Sequence, residues 1–430
     1  MRSVIRNIFI SSVIFSFTAA DAMALGSGAF SNEAAISVRA DSMGFAFSGL
    51  ADDPSAAYYN PAGLTSQKGI GLMFGAAAID LKSKHTSPSG ISDRSDKDMP
   101  VVPYLYTSYS SAQSRLAFGL GVNSPYGLIT KWKDGSFSKY YATKTELNMF
   151  QVNPSVAYEV SKDFSVAAGV DYVNLYNVEL NQKVLNFDFG FNPTPNDGNG
   201  KLTGTGTGWG YNASMLFKHG AHSVGLGYRS QVNVIVRGKT ELSGLTGVTA
   251  FAFGGSSSYQ TGTQTEIKLP QTWLLGYALQ PNDRLKITMD YEWAGWSATK
   301  EMKFNYDQNN AALPQSIPRR WRDTSNVGVG TEWRATERVD LRLGVLAFEA
   351  VVPSSTLDST VPDSSRVALT TGAGFHFKNT TVDLGYSAIF FKNRTVNNGA
   401  GNSFASMDGK YETMINAVGL GVTHRFGQAG

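Results

Sequence analysis

Leu285-Lys286-Ile287-Thr288-Met289-Asp290-Tyr291-Glu292-Trp293 is the stretch whose reading decides the fold. Leu285, Ile287, Met289, Tyr291 and Trp293 fall on one face of an extended chain, and Lys286, Thr288, Asp290 and Glu292 on the other, because successive side chains of a strand point to opposite sides. The same period recurs upstream, where Leu116, Phe118, Leu120 and Val122 oppose Ala117, Gly119 and Gly121. It recurs again where Trp209, Tyr211, Ala213, Met215 and Phe217 oppose Gly210, Asn212, Ser214 and Lys218. Val339, Leu341, Leu343 and Val345 likewise oppose Asp340, Arg342 and Gly344. One such strand fits any half-buried sheet, an ordinary β-sandwich included.

The connections decide between those sheets, because short and long ones alternate. Short turns fall near Ala112-Gln113, Ser161-Lys162-Asp163, His219-Gly220, Pro281-Asn282-Asp283, Ala335-Thr336-Glu337 and Lys378-Asn379. Long Gly/Asn/Ser/Asp-rich stretches lie near 82–99, 124–144, 181–206, 238–262, 305–320, 350–364 and 395–408. Six short and seven long connections join fourteen strands, an even count that returns both ends to one side. Short periplasmic turns facing long extracellular loops are the pattern of bacterial outer-membrane barrels, whereas a soluble sandwich gives no reason for that parity.

The ends of the chain and its composition agree with this reading. Arg2 and Arg6, an apolar run from Ile8 to Ala20 and then Ala22-Met23-Ala24 read as a secretory leader over 1–24, in preference to a buried helix of a cytosolic domain. After it, no stretch approaches the roughly 18 apolar residues of a spanning helix. A membrane location therefore requires a closed barrel, which satisfies every backbone group in hydrocarbon. The 45 Gly, 19 Tyr, 25 Phe and 7 Trp, with 42% hydrophobic and only 17% charged residues, suit a wall that faces lipid. Without cysteine there is no disulfide scaffold and no thiolate metal site, and a formal charge of +3 from 37 basic and 34 acidic side chains indicates no nucleic-acid partner. The last strand, with Val418, Leu420, Val422, His424 and Phe426 on one face, is similar to the aromatic end signal that barrels present to their assembly machinery, although Gly427 to Gly430 follow it.

Residues 25–68 do not read as wall. They are Ala- and Gly-rich, with Ser37-Val38-Arg39-Ala40-Asp41-Ser42-Met43-Gly44 compatible with a short helix. A floppy periplasmic tail and a folded plug are the alternatives, and low charge with many small apolar residues argues for the plug. A lumen of fourteen strands also exceeds what its own side chains fill, a limit reached at about 8. The expected fold is all-β, a 14-stranded antiparallel transmembrane β-barrel over 69–430 with an N-terminal plug (hatch) containing short helices over 25–68.

Ala51-Asp52-Asp53-Pro54-Ser55 running into Asn60-Pro61-Ala62-Gly63-Leu64 resembles the plug signature of the FadL-type long-chain fatty acid transporter family (outer-membrane OMPP1/FadL/TodX-like proteins). Asn123-Ser124-Pro125-Tyr126-Gly127-Leu128, Leu269-Pro270-Gln271-Thr272-Trp273, Gly295-Trp296-Ser297, Arg322-Asp323 with Val327-Gly328-Val329-Gly330, and Val352-Pro353 extend the resemblance in order over nearly the whole mature chain. It implies a fourteen-stranded barrel, a plug and lateral diffusion of ligand through a gap in the wall. Ser124, Pro125, Tyr126 and Gly127 match the family's inward kink in its third strand. Independently, Pro125 has no N–H for the ladder and Gly127 tolerates irregular backbone, although the strand could simply end at Asn123. Asn60, Pro61 and Ala62 read as a turn and, by resemblance, as the rigid end of the plug whose shift releases ligand. The family pairs its ligand with basic side chains inside the barrel. The corresponding positions here, each shifted in register, are Lys183 and Arg319-Arg320, for which exposed loop cations are the alternative.

Enzymatic readings find little in the residues. No Gly-x-Ser-x-Gly accompanies the five histidines, so no catalytic residue is assigned. The Gly-x-Gly pairs at Gly225, Gly328, Gly372 and Gly419 read as small inward wall positions, because no helix follows them. The expected function is passive outer-membrane uptake of hydrophobic compounds, long-chain fatty acids first and aromatic or alkane hydrocarbons second, with no cofactor and no metal. Capture at extracellular loops, transfer to a lumenal pocket and lateral exit into outer-membrane lipid complete the expected route. A general porin, which the plug argues against, and an adhesin barrel are the other classes.

Overall fold

The computed structural model describes residues 35–96, 98–402 and 405–426, so the expected leader lies outside the described residues. Fourteen antiparallel strands close into a barrel. They are β1 (Gly69–Thr86), β2 (Val101–Ser110), β3 (Leu116–Asn123 and Leu128–Lys131), β4 (Lys144–Ser161), β5 (Phe164–Val184), β6 (Gly198–His219) and β7 (His222–Arg229 and Val232–Ser243). The others are β8 (Ser258–Leu269 and Thr272–Asn282), β9 (Leu285–Ala294 and Glu301–Tyr306), β10 (Ser316–Pro318 and Thr324–Thr336), β11 (Val339–Phe348), β12 (Arg366–Phe377), β13 (Thr380–Phe391) and β14 (Gly409–Phe426). Closure is made by β1 against β14, from Ile70 opposite Phe426 to Thr86 opposite Lys410. Among the described residues no helix is long and apolar enough to cross a membrane.

Each alternating face lands where the period places it. Leu116, Phe118 and Leu120, Trp209, Tyr211, Met215 and Phe217, Ile287, Met289 and Tyr291, and Leu341, Leu343 and Val345 all point outward, exposed to what surrounds the barrel. So large an outward apolar surface is stable only in lipid. All six short turns stand at their expected places, but two loops are shorter than their composition suggests. β5 and β6 carry strand to Val184 and from Gly198, and β7 and β8 carry it to Ser243 and from Ser258.

The lumen is occupied from below by residues 35–68, which carry helices α1 (Val38–Asp41) and α2 (Ala56–Tyr59) and a 3₁₀ helix, Pro61–Ser66. This plug meets the wall through glycines. A β-carbon at Gly328, Gly330 or Gly344 would overlap the backbone of Met43 and Gly44, and one at Gly225 or Gly276 would overlap Ser48. Gly372 touches Ser42 and Gly419 touches Val38. The inward Gly-x-Gly positions are therefore sockets for the plug, its backbone at Gly225, Gly328, Gly330 and Gly344 and its side chains at Gly372 and Gly419. Gly44 itself, with φ +65°, makes the turn that enters them.

Candidate functional site

The floor of the lumen is an ion-pair network between plug and wall. Arg39 of α1 reaches Asp52 at 2.6 Å and Asp53 at 3.0 Å within the plug, and Glu332 of β10 at 2.8 Å. Glu332 also receives Lys286 at 3.0 Å and Arg342 at 2.7 Å, and Arg342 continues to Asp383 at 2.6 Å. Lys286 closes the circuit on Asp52 at 2.8 Å. Burial opposes charge on Asp52, but the neighbouring Arg39 and Lys286 outweigh it and hold its carboxyl below the usual carboxylate range. Burial acts against charge on Arg39 as well and is overcome by Asp52 and Glu332, which keep the guanidinium firmly protonated. Farther in, Asp290 of β9 accepts hydrogen bonds from Phe47 N and Ser48 N at 2.9 and 2.8 Å.

Asn60 caps the 3₁₀ helix, accepting from Ala62 N at 3.2 Å, and its amide donates to Ser48 O at 2.9 Å and to Met215 O of β6 at 3.1 Å. Asn60-Pro61-Ala62 is thus both a turn and a clip from plug to wall. Proline at the first position suits the helix because its missing N–H has no intrahelical partner there.

Above the plug lie two cavities with no lining residue in common. The inner one rests on Phe45, Tyr58 and Tyr59 and is bounded by Pro125, Tyr126, Trp296 and Phe348. The outer one is lined chiefly by apolar side chains such as Leu128, Leu147, Ile267, Met302 and Phe304. Its roof is the β11–β12 loop, over 350–364, in which Val351, Val352, Leu357 and Val361 are buried. Val351 N and Val352 N both donate to Asp363, at 2.7 and 2.9 Å. Reading 350–364 as an ordinary extracellular loop missed this inward fold. Its regularly placed valines and leucine, with only two aspartates for charge, were the available signal.

Ser124-Pro125-Tyr126-Gly127 interrupts β3 without ending it. Asn123 pairs with Gln151 and, after the break, Leu128 pairs with Leu147, so four residues of β3 stand opposite three of β4. The ladder between β2 and β3 stops at Leu105–Val122 and is not resumed, while farther out Asp96 N donates to Lys131 O at 3.0 Å. Between those points the two lips belong to an apolar cluster: Val102 of β2, Ile129 of β3, and Phe45 and Phe348, which also line the inner cavity. Ser124 Oγ donates to Met149 O at 2.7 Å, holding the break against β4.

The expected basic residues are not brought together. Arg319 is buried, pairs with Asp358 of the roof at 2.7 Å and lines the outer cavity, where its Nε has no hydrogen-bond partner. Arg320 is exposed, with φ +48°. Lys183 pairs with Asp134 at 2.7 Å and Asn199 at 2.9 Å and lines neither cavity. Among the described residues no group of acids and histidines could hold a metal.

The family model described as outer membrane protein transport protein (OMPP1/FadL/TodX) matches residues 17–426. A protein named long-chain fatty acid transport protein, from Escherichia coli, is 24% identical over 378 residues, which cover 80% of this chain and 83% of that one. The crystal structure of a Pseudomonas aeruginosa FadL homologue superposes with a TM-score of 0.81 at 19% identity, over 93% of this chain and 100% of that one. The Pseudomonas putida toluene transporter TodX does so with a TM-score of 0.71 at 18% identity, over 91% and 99%. The chain belongs to the OMPP1/FadL/TodX family of outer-membrane transport proteins, transporters of hydrophobic compounds rather than enzymes.

Proposed function

We propose that this protein takes up long-chain fatty acids passively, through the outer cavity, the inner cavity and then sideways between β2 and β3 into the bilayer. One observation carries the reading: the ladder lapses beside Pro125 and Tyr126, which line the inner cavity, while the way straight down is blocked by an ion-paired plug. Lips that meet through apolar side chains part at lower cost than hydrogen-bonded strands, whose unpaired groups hydrocarbon would not satisfy. In the outer cavity the alkyl tail lies along the apolar wall and the carboxylate meets Arg319, whose buried Nε offers a donor. Lys183, near the outer end of β5, and Arg320 serve as outlying cations that attract the anion. A small rearrangement of Asn60-Pro61-Ala62, below Tyr58 and Tyr59, opens the lateral way while the rest of the plug, Thr65 included, stays docked. Residues 1–24 are the leader, 25–68 the plug and 69–430 the barrel, whose terminal Phe426 is read by the assembly machinery.

The test is deletion of one residue from 124–127, which gives three residues opposite three and lets β3 run straight. In liposomes, the variant should assemble normally and lose labelled oleate uptake by about tenfold or more, the scale on which losing one positioned element acts. Uptake retained by a correctly assembled variant would refute the lateral route. Sugar flux without oleate uptake in the unaltered protein would favour a porin.

Uncharged aromatic hydrocarbons are the second reading. The charged residues lining the inner cavity are Asp290 and Glu292, with no lysine or arginine, so a carboxylate gains nothing by descending there and a neutral ring loses nothing. Uptake of labelled toluene exceeding that of oleate at equal concentration would favour it.

A further inference from the structure

On four strands the chain passes from outer to inner cavity within a few residues. The change falls between Leu128 and Tyr126 on β3, Ile267 and Pro270 on β8, Met302 and Trp296 on β9, and Arg319 and Asn326 on β10. Two aromatic contacts lie on this boundary. Tyr126 meets Trp296 edge-on, with ring centroids 6.0 Å apart at 89°, and Trp296 meets Trp321 at 5.6 Å and 75°.

Trp296 reaches this place because the wall lapses a second time. β8 and β9 pair from Trp273–Trp293 to Thr272–Ala294 and again from Thr265–Phe304, but between them residues 266–271 face 295–303 without a ladder. A 3₁₀ turn, Trp296–Ala298, fills the interval on β9, with Ser297 N donating to Asp323 at 2.8 Å and Thr299 N to Trp296 O at 2.9 Å. Two wall irregularities, in β3 and in β9, thus each send one ring into the lumen, and the rings meet.

We infer that Trp296 is the specificity-determining residue of the channel, setting the girth of the molecules that pass from the outer cavity to the inner one. The inference rests on the uptake reading. Tyr126 is held in the β3 break and Trp321 lies behind in the wall, so Trp296 is the central ring of the bar. Its ring meets Tyr126 and Trp321 edge to face and is buried in the same apolar cluster as Val351 and Val352, so its bulk stands across the passage. A slender alkyl chain needs less of the remaining width than a fused aromatic does.

The test uses the full-length protein in liposomes with two radiolabelled acids alike in head group, straight-chain dodecanoate and 1-pyrenebutanoate. Trp296→Ala should raise pyrenebutanoate uptake relative to dodecanoate roughly tenfold, the scale of discrimination by pocket size. Trp296→Phe, which keeps a ring and a packed bar, should move the ratio in the same direction by less. An unchanged ratio in both variants, or in the Phe variant alone if the Ala variant fails to assemble, overturns the inference while leaving uptake itself intact. Dodecanoate uptake by the unaltered protein no faster than into empty liposomes would instead overturn the uptake reading, and the inference with it.

Discussion

The floor of the lumen and its roof close the same barrel by different chemistry. The floor is made of charges and backbone: Arg39, Asp52, Glu332, Lys286 and Arg342 in mutual contact, and plug backbone seated in Gly328, Gly330 and Gly344. The roof packs valine, leucine and tryptophan from 350–364 and the neighbouring strands, with Asp358–Arg319, Arg366–Asp363 and hydrogen bonds to Asp363, Ser359 and Leu357 among its polar ties. Buried ions tolerate little displacement, because separating them leaves an uncompensated charge. Apolar contacts are non-directional and can be exchanged for others, including those of a greasy ligand. A substrate that is itself apolar can therefore open the roof and has no means of opening the floor.

The largest effect is expected where plug and wall touch without side chains. Gly330→Leu places a branched chain into the backbone of Met43, an overpacking that costs about 3 kcal/mol or more. The barrel should still assemble, shown by its gel mobility before and after heating, with the plug displaced and sugars leaking through in a liposome-swelling assay. Next comes Glu332→Ala, which removes the carboxylate shared by Arg39, Lys286 and Arg342 and leaves them only Asp52, Asp53 and Asp383, at a cost of up to about 3 kcal/mol. Protease cleavage within 35–66 and a lowered unfolding temperature in detergent would report it. Arg319→Ala leaves Asp358 buried without its partner, yet the roof around it can repack, so stability should fall less than for Glu332→Ala while oleate affinity drops.

Acid should separate the two regions by sign. Asp52 binds its proton less tightly in the folded chain than in the unfolded one, so the anchoring it supplies is complete above its ordinary value of 3.8 and fades as pH falls through its lowered one. Asp363 is raised, first by burial and despite nearby Arg366 and the amides of Val351 and Val352, so its contribution runs the other way and declines as pH rises above 3.8. Hydrogen exchange between pH 3 and 5 should find the plug loosening, relative to the roof, at the acid end; parallel behaviour would break the contrast. The smallest effect belongs to Arg320→Ala, an exposed change expected within about 0.5 kcal/mol of neutral.

The wall was legible in the sequence because lipid outside and plug inside impose a strict period of two on Leu285 to Trp293 and its counterparts. Loop length was less legible. Above the bilayer the outer face of β6 needs no apolar side chains, so Gly198 to Thr207 reads as loop although it is paired strand. The break at Ser124 to Gly127 was visible through Pro125, whereas the one at Trp296 has no proline on its own strand, Pro270 standing on the facing β8, and shows only once β8 and β9 are paired. The floor was hidden for a different reason. Glu332 and Arg342 face each other across the β10–β11 hairpin, but Arg39, Lys286 and Asp383 come from elsewhere in the chain, and only the plug docked in the barrel gathers all of them. Gly225, Gly328, Gly372 and Gly419 announced small inward positions, but not that plug backbone lies against the first two and the plug side chains Ser42 and Val38 against the others.

The central claim is that ligand leaves sideways while the plug stays docked, and a chain without cysteine allows a clean staple. Thr65 of the plug and Ser165 of β5 already meet, hydroxyl to hydroxyl, at 2.8 Å, close to the reach of a disulfide. Oleate uptake by Thr65→Cys/Ser165→Cys protein in liposomes should be the same with the staple oxidised as with it reduced. Uptake that stops on oxidation and returns on reduction would mean that the plug itself must leave, and would contradict the lateral route.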